Sequence, residues 1–416
     1  MATLKSRPLV STLTYWKFSE HPFRDAILQG SSLSMFVDRE DEIFDVEDAL
    51  AYSRVVGVHG TLGVGKSSFL RKLSDRITTQ GHALAFVHLT ADSRESFYRE
   101  MLRQVLLACK DGTIVLKRGH GVDIHDELVL LDTSITDTLG SALEGGVIAA
   151  KGKIDKSRAT RKDSHTESTA IQILAHVFAN LKGKLIVILD DFEKLQYASS
   201  STSGDYLPLL SRFVSTLEDR LSHDSVSFVV SLDDQFTVLA DQTKKRGGAF
   251  AFSLNALVQL RNFSPQRVID LIDARLRHVG WKKSVFDFIP LESFWALSLA
   301  SQNHPRRILR ILAESMKIIT KHKRPMRIDS STLSEAALAT EDFIDDRDLQ
   351  IIYHLAQFGG ASESDRAFLK ALGFKSRSAI SRRLSHLQDA IHLQTQKVRS
   401  GRTQKIVYLL PELHLP

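Results

Sequence analysis

Val55-Val56-Gly57-Val58-His59-Gly60-Thr61-Leu62-Gly63-Val64-Gly65-Lys66-Ser67-Ser68-Phe69-Leu70 decides how this 416-residue chain is read. An apolar run reads as a strand, glycines follow, and Gly65-Lys66-Ser67 opens a helical pattern that continues through Leu73. Strand, glycine loop, Gly-Lys-Ser and helix in that order form a phosphate-binding P-loop. The glycines let successive backbone N–H groups turn toward phosphate oxygens where side chains would clash. The positive end of the new helix faces the same anion. Gly60, Thr61, Leu62, Gly63, Val64, Gly65, Lys66, Ser67 and Ser68 are therefore the expected nucleotide contacts. Lys66 is expected to reach the β- and γ-phosphates, and the Ser67 hydroxyl to ligate Mg²⁺.

Downstream of the loop the pattern alternates. Residues 83–89, 185–189 and 226–232 read as strands, and 93–108, 166–181 and 206–221 as helices. Such alternation predicts an α/β fold with a parallel sheet covered by helices on both faces. The strand at 185–189 runs into Asp190-Asp191-Phe192-Glu193. A buried strand ending in a carboxylate places that group at the edge where the phosphates sit. Asp190 is the expected Mg²⁺ ligand. Asp191 is the expected orienter or base for the attacking water, with Glu193 the alternative catalytic carboxylate. The next strand ends in Ser231-Leu232-Asp233-Asp234, where a polar group senses the γ-phosphate or Asp233 or Asp234 caps the following helix.

Composition sets limits on function. Apolar residues make up 43% of the chain and charged residues 25%, as in an ordinary globular protein. The single cysteine, Cys109, excludes a disulfide framework and a cysteine metal site, and its apolar helical neighbours suggest a buried position. The N-terminus lacks the apolar core of a signal peptide and no segment reaches membrane-spanning length, so a cytoplasmic protein without a membrane partner is expected.

Four regions are expected. Residues 1–54 are a lead-in, and 55–258 a P-loop core interrupted by a glycine-rich, β-rich insertion at about 111–164. The basic run from Lys151 to Lys162 in that insertion reads as a solvated hairpin. Residues 259–328 form a helical lid, in which Ser264-Pro265 carries a cap and a helix-starting proline. The basic Lys244-Lys245-Arg246 precedes it in a loop. Arg324-Pro325 and 329–332 read as a linker. Residues 340–416 then show three helical patterns and a β-hairpin, the order of a winged helix. Between Arg366 and Lys405 ten basic residues stand against the single Asp389. The third helix is expected to present Arg377, Ser378, Ser381 and Arg382, and the hairpin Lys397, Arg399, Arg402 and Lys405. Positive charge on helix and wing together suits a duplex-DNA backbone.

Taken together the residues resemble the origin-recognition-like branch of AAA+ ATPases and the neighbouring STAND ATPases. The lead-in, with Pro22-Phe23 and Phe36-Val37-x-Arg39-Glu40, is similar to the segment that packs against adenine in that family, which adds Phe36, Val37 and Arg39 to the nucleotide contacts. Phe263-Ser264-Pro265 is similar to the start of its first lid helix. Asn303-His304-Pro305-Arg306-Arg307 resembles its sensor-2 motif, which implies that Arg306 contacts the γ-phosphate. By helical spacing alone, Arg306 belongs to a solvated face. Asp190-Asp191 departs from the usual Asp-Glu and is closer to STAND proteins, implying slow turnover and a switch. No arginine-finger motif of that family appears, and Arg246 is a candidate only. The insertion resembles that of prokaryotic ATPases found near mobile elements and defence genes.

The resemblance implies a parallel-sheet P-loop NTPase of AAA+/STAND type with a helical lid and a C-terminal winged helix. It implies an ATP- and Mg²⁺-dependent ATPase that binds duplex DNA in replication initiation, mobile-element or defence processes and assembles as a homo-oligomer with ATP. Two alternatives stay open. One is a signalling or assembly ATPase whose winged helix binds a protein effector, and the other a nucleotide-gated transcription regulator.

Overall fold

The computed structural model describes residues 8–37, 39–88, 97–119, 121–129, 131, 167–191, 213, 215–217, 219–221, 223–234, 256–340, 346–374, 376–400 and 403–413. In chain order, α1 (Pro8–Trp16) and α2 (Glu40–Tyr52) precede β1 (Val55–His59), α3 (Lys66–Thr79), β2 (Ala83–His88) and α4 (Phe97–Lys110). Then come α5 (Glu167–Ala179), β3 (Leu185–Asp190), β4 (Val226–Leu232) and β5 (Ala256–Gln259). The rest is α6 (Pro265–His278), α7 (Val285–Phe288), α8 (Leu291–Ser301), α9 (Pro305–His322), α10 (Ser330–Ala339), α11 (Asp346–Phe358), α12 (Arg366–Ala371), α13 (Arg377–Ile391), β6 (Gln394–Ser400) and β7 (Thr403–Leu409). Two compact units divide the chain: Glu40–Leu62 with Phe69–Leu260, and Met1–Arg39 with Gly63–Ser68 and Arg261–Pro416.

The first unit is built on a five-stranded sheet in the order β2-β3-β4-β1-β5, with every pair parallel. Residues of β1, β3 and β4 are buried without alternation, as strands covered on both faces must be. Met101, Leu102 and Val105 of α4 and Leu174, Val177 and Phe178 of α5 join Val87, Val187 and Phe228 of the sheet in one core. Because all five strands run the same way, their C-terminal ends meet along one edge. Cys109 lies on α4 but is only half-buried, short of the burial its apolar neighbours suggest. Of the insertion, residues 111–131 are largely described: Leu116 makes an isolated antiparallel bridge to Leu181, and 124–129 is helical rather than extended. The basic run, Phe192, Glu193 and Lys244–Arg246 lie outside the described residues, as does most of the helix expected at 206–221.

The second unit has one continuous core. Trp16 and Phe23 pack on Phe288 at ring distances of 5.3 and 5.6 Å, and the cluster runs through Ile272, Phe294 and Ile308 to Leu384 and Tyr408. Ser264 caps α6 as its sequence indicates, accepting the Arg267 N–H. Of the residues read as a linker, Arg324-Pro325 is non-helical, but Asp329 caps a helix that begins at Ser330. Asp329 accepts the Thr332 N–H at 2.7 Å, and Leu333, Ala336 and Ala337 of α10 are buried. Its serines and threonine form a helix start, and small apolar residues give it a packing face. At the C-terminus α11, α12 and α13 precede the antiparallel β6–β7 hairpin, and Ala361 bridges to Tyr408 of β7.

Candidate functional site

The edge formed by the C-terminal ends of the strands collects polar residues from four of them. β1 ends in His59 and runs into Gly60, β2 ends in His88, β3 ends in Asp190, and β4 is followed by Asp233 and Asp234. Since β3 neighbours β2 rather than β1, the imidazole of His88 lies beside the carboxylates that follow β3. His88 Nε2 is 3.4 Å from Asp191 Oδ2, and His88 Nδ1 is 3.7 Å from Asp190 Oδ2. Asp190 Oδ1 accepts the Asp191 N–H at 2.9 Å, which fixes the carboxylate plane. Asp191 has φ +60°, a left-handed conformation that aspartate tolerates better than most residues. His59 Nδ1 meets Asp234 Oδ1 at 2.9 Å, so one of the two aspartates after β4 is engaged by the strand that leads into the loop.

The latter part of the loop belongs to the other unit, where lead-in and lid residues surround it. Gly63 and Gly65 have φ of +89° and +103°, which only glycine adopts readily. A Cβ on Gly63 would stand 2.9 Å from Cβ and Cδ of Arg306 and 2.9 Å from Cε1 of His304. The start of α9 therefore rests directly on the glycine. Arg39 is buried, and its guanidinium donates to the carbonyls of Val64 (3.3 Å) and Arg261 (2.8 Å) while covering the Phe263 ring. It thus ties the loop to the segment before α6. Ser68 Oγ accepts the Leu28 N–H at 3.2 Å. Phe36 and Val37 are half-buried, and Lys66 is buried at the start of α3. Arg306 pairs with Asp25 at 3.0 Å, each side chain about 40% exposed. Arg275, on α6, donates to the carbonyls of Pro22 and Arg24, and burial pulls its guanidinium down to about 10 despite Asp25 and Glu20.

On α13, Ile380, Leu384 and Leu387 face the core, leaving Arg377, Ser378 and Arg382 exposed and Ser381 half-buried. Two of the helix's arginines have acidic partners. Arg377 meets Glu363 at 2.6 Å and, with Ser381, holds that carboxyl below the usual range. Arg383 meets the buried Asp348 at 2.6 Å. In the hairpin, Lys397 lies opposite Ile406 and Lys405 opposite Val398, so the two lysines project from opposite faces. Both are exposed. Arg402 and the Arg399 side chain lie outside the described residues.

Sequence reasoning passed over His88, His59 and Asp25. The histidines had a readable signal: each is the last residue of a strand, at the edge where ligands bind in such sheets. Nothing local marks Asp25. In one unit, the two glycines hold backbone that only glycine adopts readily, as a phosphate-binding loop requires; in the other, the Asp190, Asp191 and His88 donors suit a divalent cation.

A parallel sheet with this loop after its first strand is a P-loop NTPase domain. The family model described as the KAP family P-loop domain matches residues 45–248. No curated protein matches the chain. Among solved structures it is similar to the Orc1 protein of Aeropyrum pernix in complex with DNA, at 16% identity over 93% of both chains with a TM-score of 0.40. It is also similar to the Orc2 protein of Aeropyrum pernix with ADPNP and ADP, at 11% identity over 94% of both chains with a TM-score of 0.45. A Walker-type ATPase of Pyrococcus abyssi is similar at 15% identity over 89% of this chain and 93% of that one, with a TM-score of 0.41. No described helix is long and apolar enough to cross a membrane.

Proposed function

We propose that this protein is an ATP-dependent switch of AAA+/STAND type that hydrolyses ATP slowly and binds duplex DNA through its C-terminal helices and hairpin, read as a winged helix. One observation carries the reading: residues 303–306 touch two places at once. His304 and Arg306 rest on Gly63 of the loop, and the buried Asn303 donates from Nδ2 to the Ala390 carbonyl of α13 at 3.3 Å. A phosphate seated on the loop meets the start of α9. Any shift there passes through one side chain to the helix carrying Arg377 and Arg382.

Roles follow from the residue types. Backbone N–H groups of 60–68 cradle the phosphates and Lys66 neutralises them. Ser67 and Asp190 hold Mg²⁺, which when bound supplies charge neutralisation at the β- and γ-phosphates. Asp191 orients the attacking water. Arg306 exchanges Asp25 for the γ-phosphate, a step made easy because an exposed ion pair is worth only about 0–1 kcal/mol. Phe36, Val37 and Arg39 shape the nucleotide side of the lead-in. Arg377, Ser378, Ser381, Arg382, Lys397, Arg399, Arg402 and Lys405 meet the DNA backbone, and the ATP form assembles with further copies. Such a switch serves nucleoprotein work such as replication initiation, mobile-element movement or defence.

The test pairs nucleotide and DNA measurements. Lys66→Ala abolishes ATP binding, whereas Asp191→Ala binds ATP and loses turnover; unchanged hydrolysis in both overturns the ATPase reading. In anisotropy titrations of a labelled duplex, Arg382→Glu lowers affinity and flattens the salt dependence by about one phosphate contact. DNA affinity unchanged from wild type in both Arg382→Glu and Lys405→Glu overturns the DNA reading. A second reading, an effector-binding ATPase, is favoured by the acidic partners of Arg377 and Arg383 and by Val398 and Ile406, which are 41% and 44% exposed on the hairpin. It predicts an ATP-dependent protein complex without duplex binding.

A further inference from the structure

His88 has no part in the function just described, yet it stands against both acidic residues at the end of β3, Asp190 and Asp191. Its distances decide what it does there. A charge-assisted N–H···O bond between imidazole and carboxylate closes to about 2.7–2.9 Å. His88 Nε2 stands 3.4 Å from Asp191 Oδ2 and Nδ1 3.7 Å from Asp190 Oδ2, both longer than that, although sheet neighbours β2 and β3 hold the groups side by side and His88 pairs in register with Asp190. A given cation takes only one of the two ring nitrogens. Donors about 2.1 Å from a shared first-row metal ion stand about 3.0–3.5 Å from one another, according to geometry. Ligand atoms of His88, Asp190 and Asp191 all lie within 4.8 Å of one another. Of the two ring nitrogens, Nε2 at 3.4 Å from Asp191 Oδ2 has the spacing of two donors on one cation.

The chemistry then selects the cation. Mg²⁺ is a hard ion that takes oxygen ligands and keeps its waters. An imidazole nitrogen adds little for it but strengthens binding of Mn²⁺, Co²⁺ or Zn²⁺. A site serving only the nucleotide's Mg²⁺ has no use for a nitrogen here. Asp190 contributes a carboxylate that is 2% exposed and already oriented by the Asp191 N–H, so two of the three donors are built into the end of one strand and the third into its neighbour.

We propose that His88, Asp190 and Asp191 form a site for a first-row transition-metal ion, with His88 the residue that sets its preference over Mg²⁺. This rests on the reading of Asp190 as the metal-side carboxylate, but not on ATP being present. The site takes its cation in the nucleotide-free protein.

The experiment is a Mn²⁺ titration of the full-length, nucleotide-free protein followed by electron paramagnetic resonance, with Mg²⁺ as competitor. Wild type is expected to bind one Mn²⁺ per chain, resist displacement by equimolar Mg²⁺, and show ¹⁴N coupling from the imidazole. His88→Ala is expected to weaken Mn²⁺ by at least about tenfold, the low end of what losing a metal-site partner costs, and to lose the nitrogen coupling. His88→Asp, which returns an oxygen donor in place of the nitrogen, is expected to bind Mn²⁺ and Mg²⁺ with little discrimination and without that coupling. Absence of nitrogen coupling in wild type, or equal Mn²⁺ affinity in His88→Ala, overturns the proposal. Displacement of Mn²⁺ from wild type by equimolar Mg²⁺ does the same. Binding of a fluorescent ATP analogue without divalent ions is measured in parallel: its loss in Lys66→Ala alone supports the nucleotide reading, and Mn²⁺ binding retained in that variant shows that the metal site stands apart from it.

Discussion

Gly63→Ala tests the link between loop and lid most directly. At φ +89° an alanine carries a left-handed backbone penalty of about 1–2 kcal/mol. Its methyl would also meet Arg306 Cβ, Arg306 Cδ and His304 Cε1, each at 2.9 Å, well inside the usual carbon–carbon separation of about 3.5 Å or more. Crowding of that kind adds about 1–3 kcal/mol, because Arg306 Cβ is fixed to the α9 backbone and cannot swing aside. The sum is about 2–5 kcal/mol of folding stability, because α9 already rests on the loop in this structure. Gly65→Ala is the control, since at φ +103° it carries the backbone penalty with nothing within 4 Å of the new methyl. Thermal unfolding of the nucleotide-free variants should place Gly63→Ala below Gly65→Ala. Adding His304→Ala removes one of the three contacts and should recover part of the melting temperature. If Gly63→Ala melts with Gly65→Ala, or the His304→Ala background recovers nothing, the lid does not rest on the loop as argued.

Two further perturbations probe the same unit. Asn303→Ala removes a fully buried amide that donates to Ala390, at a cost of about 1–3 kcal/mol, and ATP should then no longer change duplex affinity although each ligand still binds alone. His21 is held neutral by burial, with Arg24 and Lys317 adding to the effect, which lowers its imidazole from 6.5 to about 4. Its Nδ1 accepts the Phe23 N–H at 3.2 Å, as the neutral ring can. The unfolded chain binds that proton first, so the contribution is complete above about pH 6.5 and is lost as pH falls toward 4, amounting to about 3 kcal/mol. Urea midpoints measured from pH 7 to 4.5 should show this slope in wild type and a flatter one in His21→Gln.

Much of the fold was legible because local pattern and tertiary role coincide. The strand before Gly60 and the strand before Asp191 are unbroken apolar runs, and only a doubly covered parallel strand needs that. Ser264-Pro265 is a cap and helix start whose hydrogen bond is local. The linker reading failed at 330–332 because a Ser/Thr cluster signals a turn and a helix start equally, and Ala336 and Ala337 reveal their burial only once α10 has neighbours. His88 was illegible for another reason. Its importance follows from β3 lying beside β2, and strand order is a property of the sheet, not of any one strand. Asp25 is the same case: its partner Arg306 is 281 positions away.

The core that joins lead-in to lid also constrains synthesis. Trp16 donates its indole N–H to the Met316 carbonyl, across 300 positions of chain. At about 5–20 residues per second, the N-terminal aromatics wait roughly 15–60 s on the ribosome before their partners emerge. Contacts of such separation form late, and the apolar surface that awaits them is exposed meanwhile to aggregation. The strand-bearing segments between, closed by nearer pairings, can condense first. Trp16, Phe18 and Phe23 are therefore the residues where a chaperone would engage a nascent chain, and where shortening the N-terminus would unsettle helices encoded at the far end.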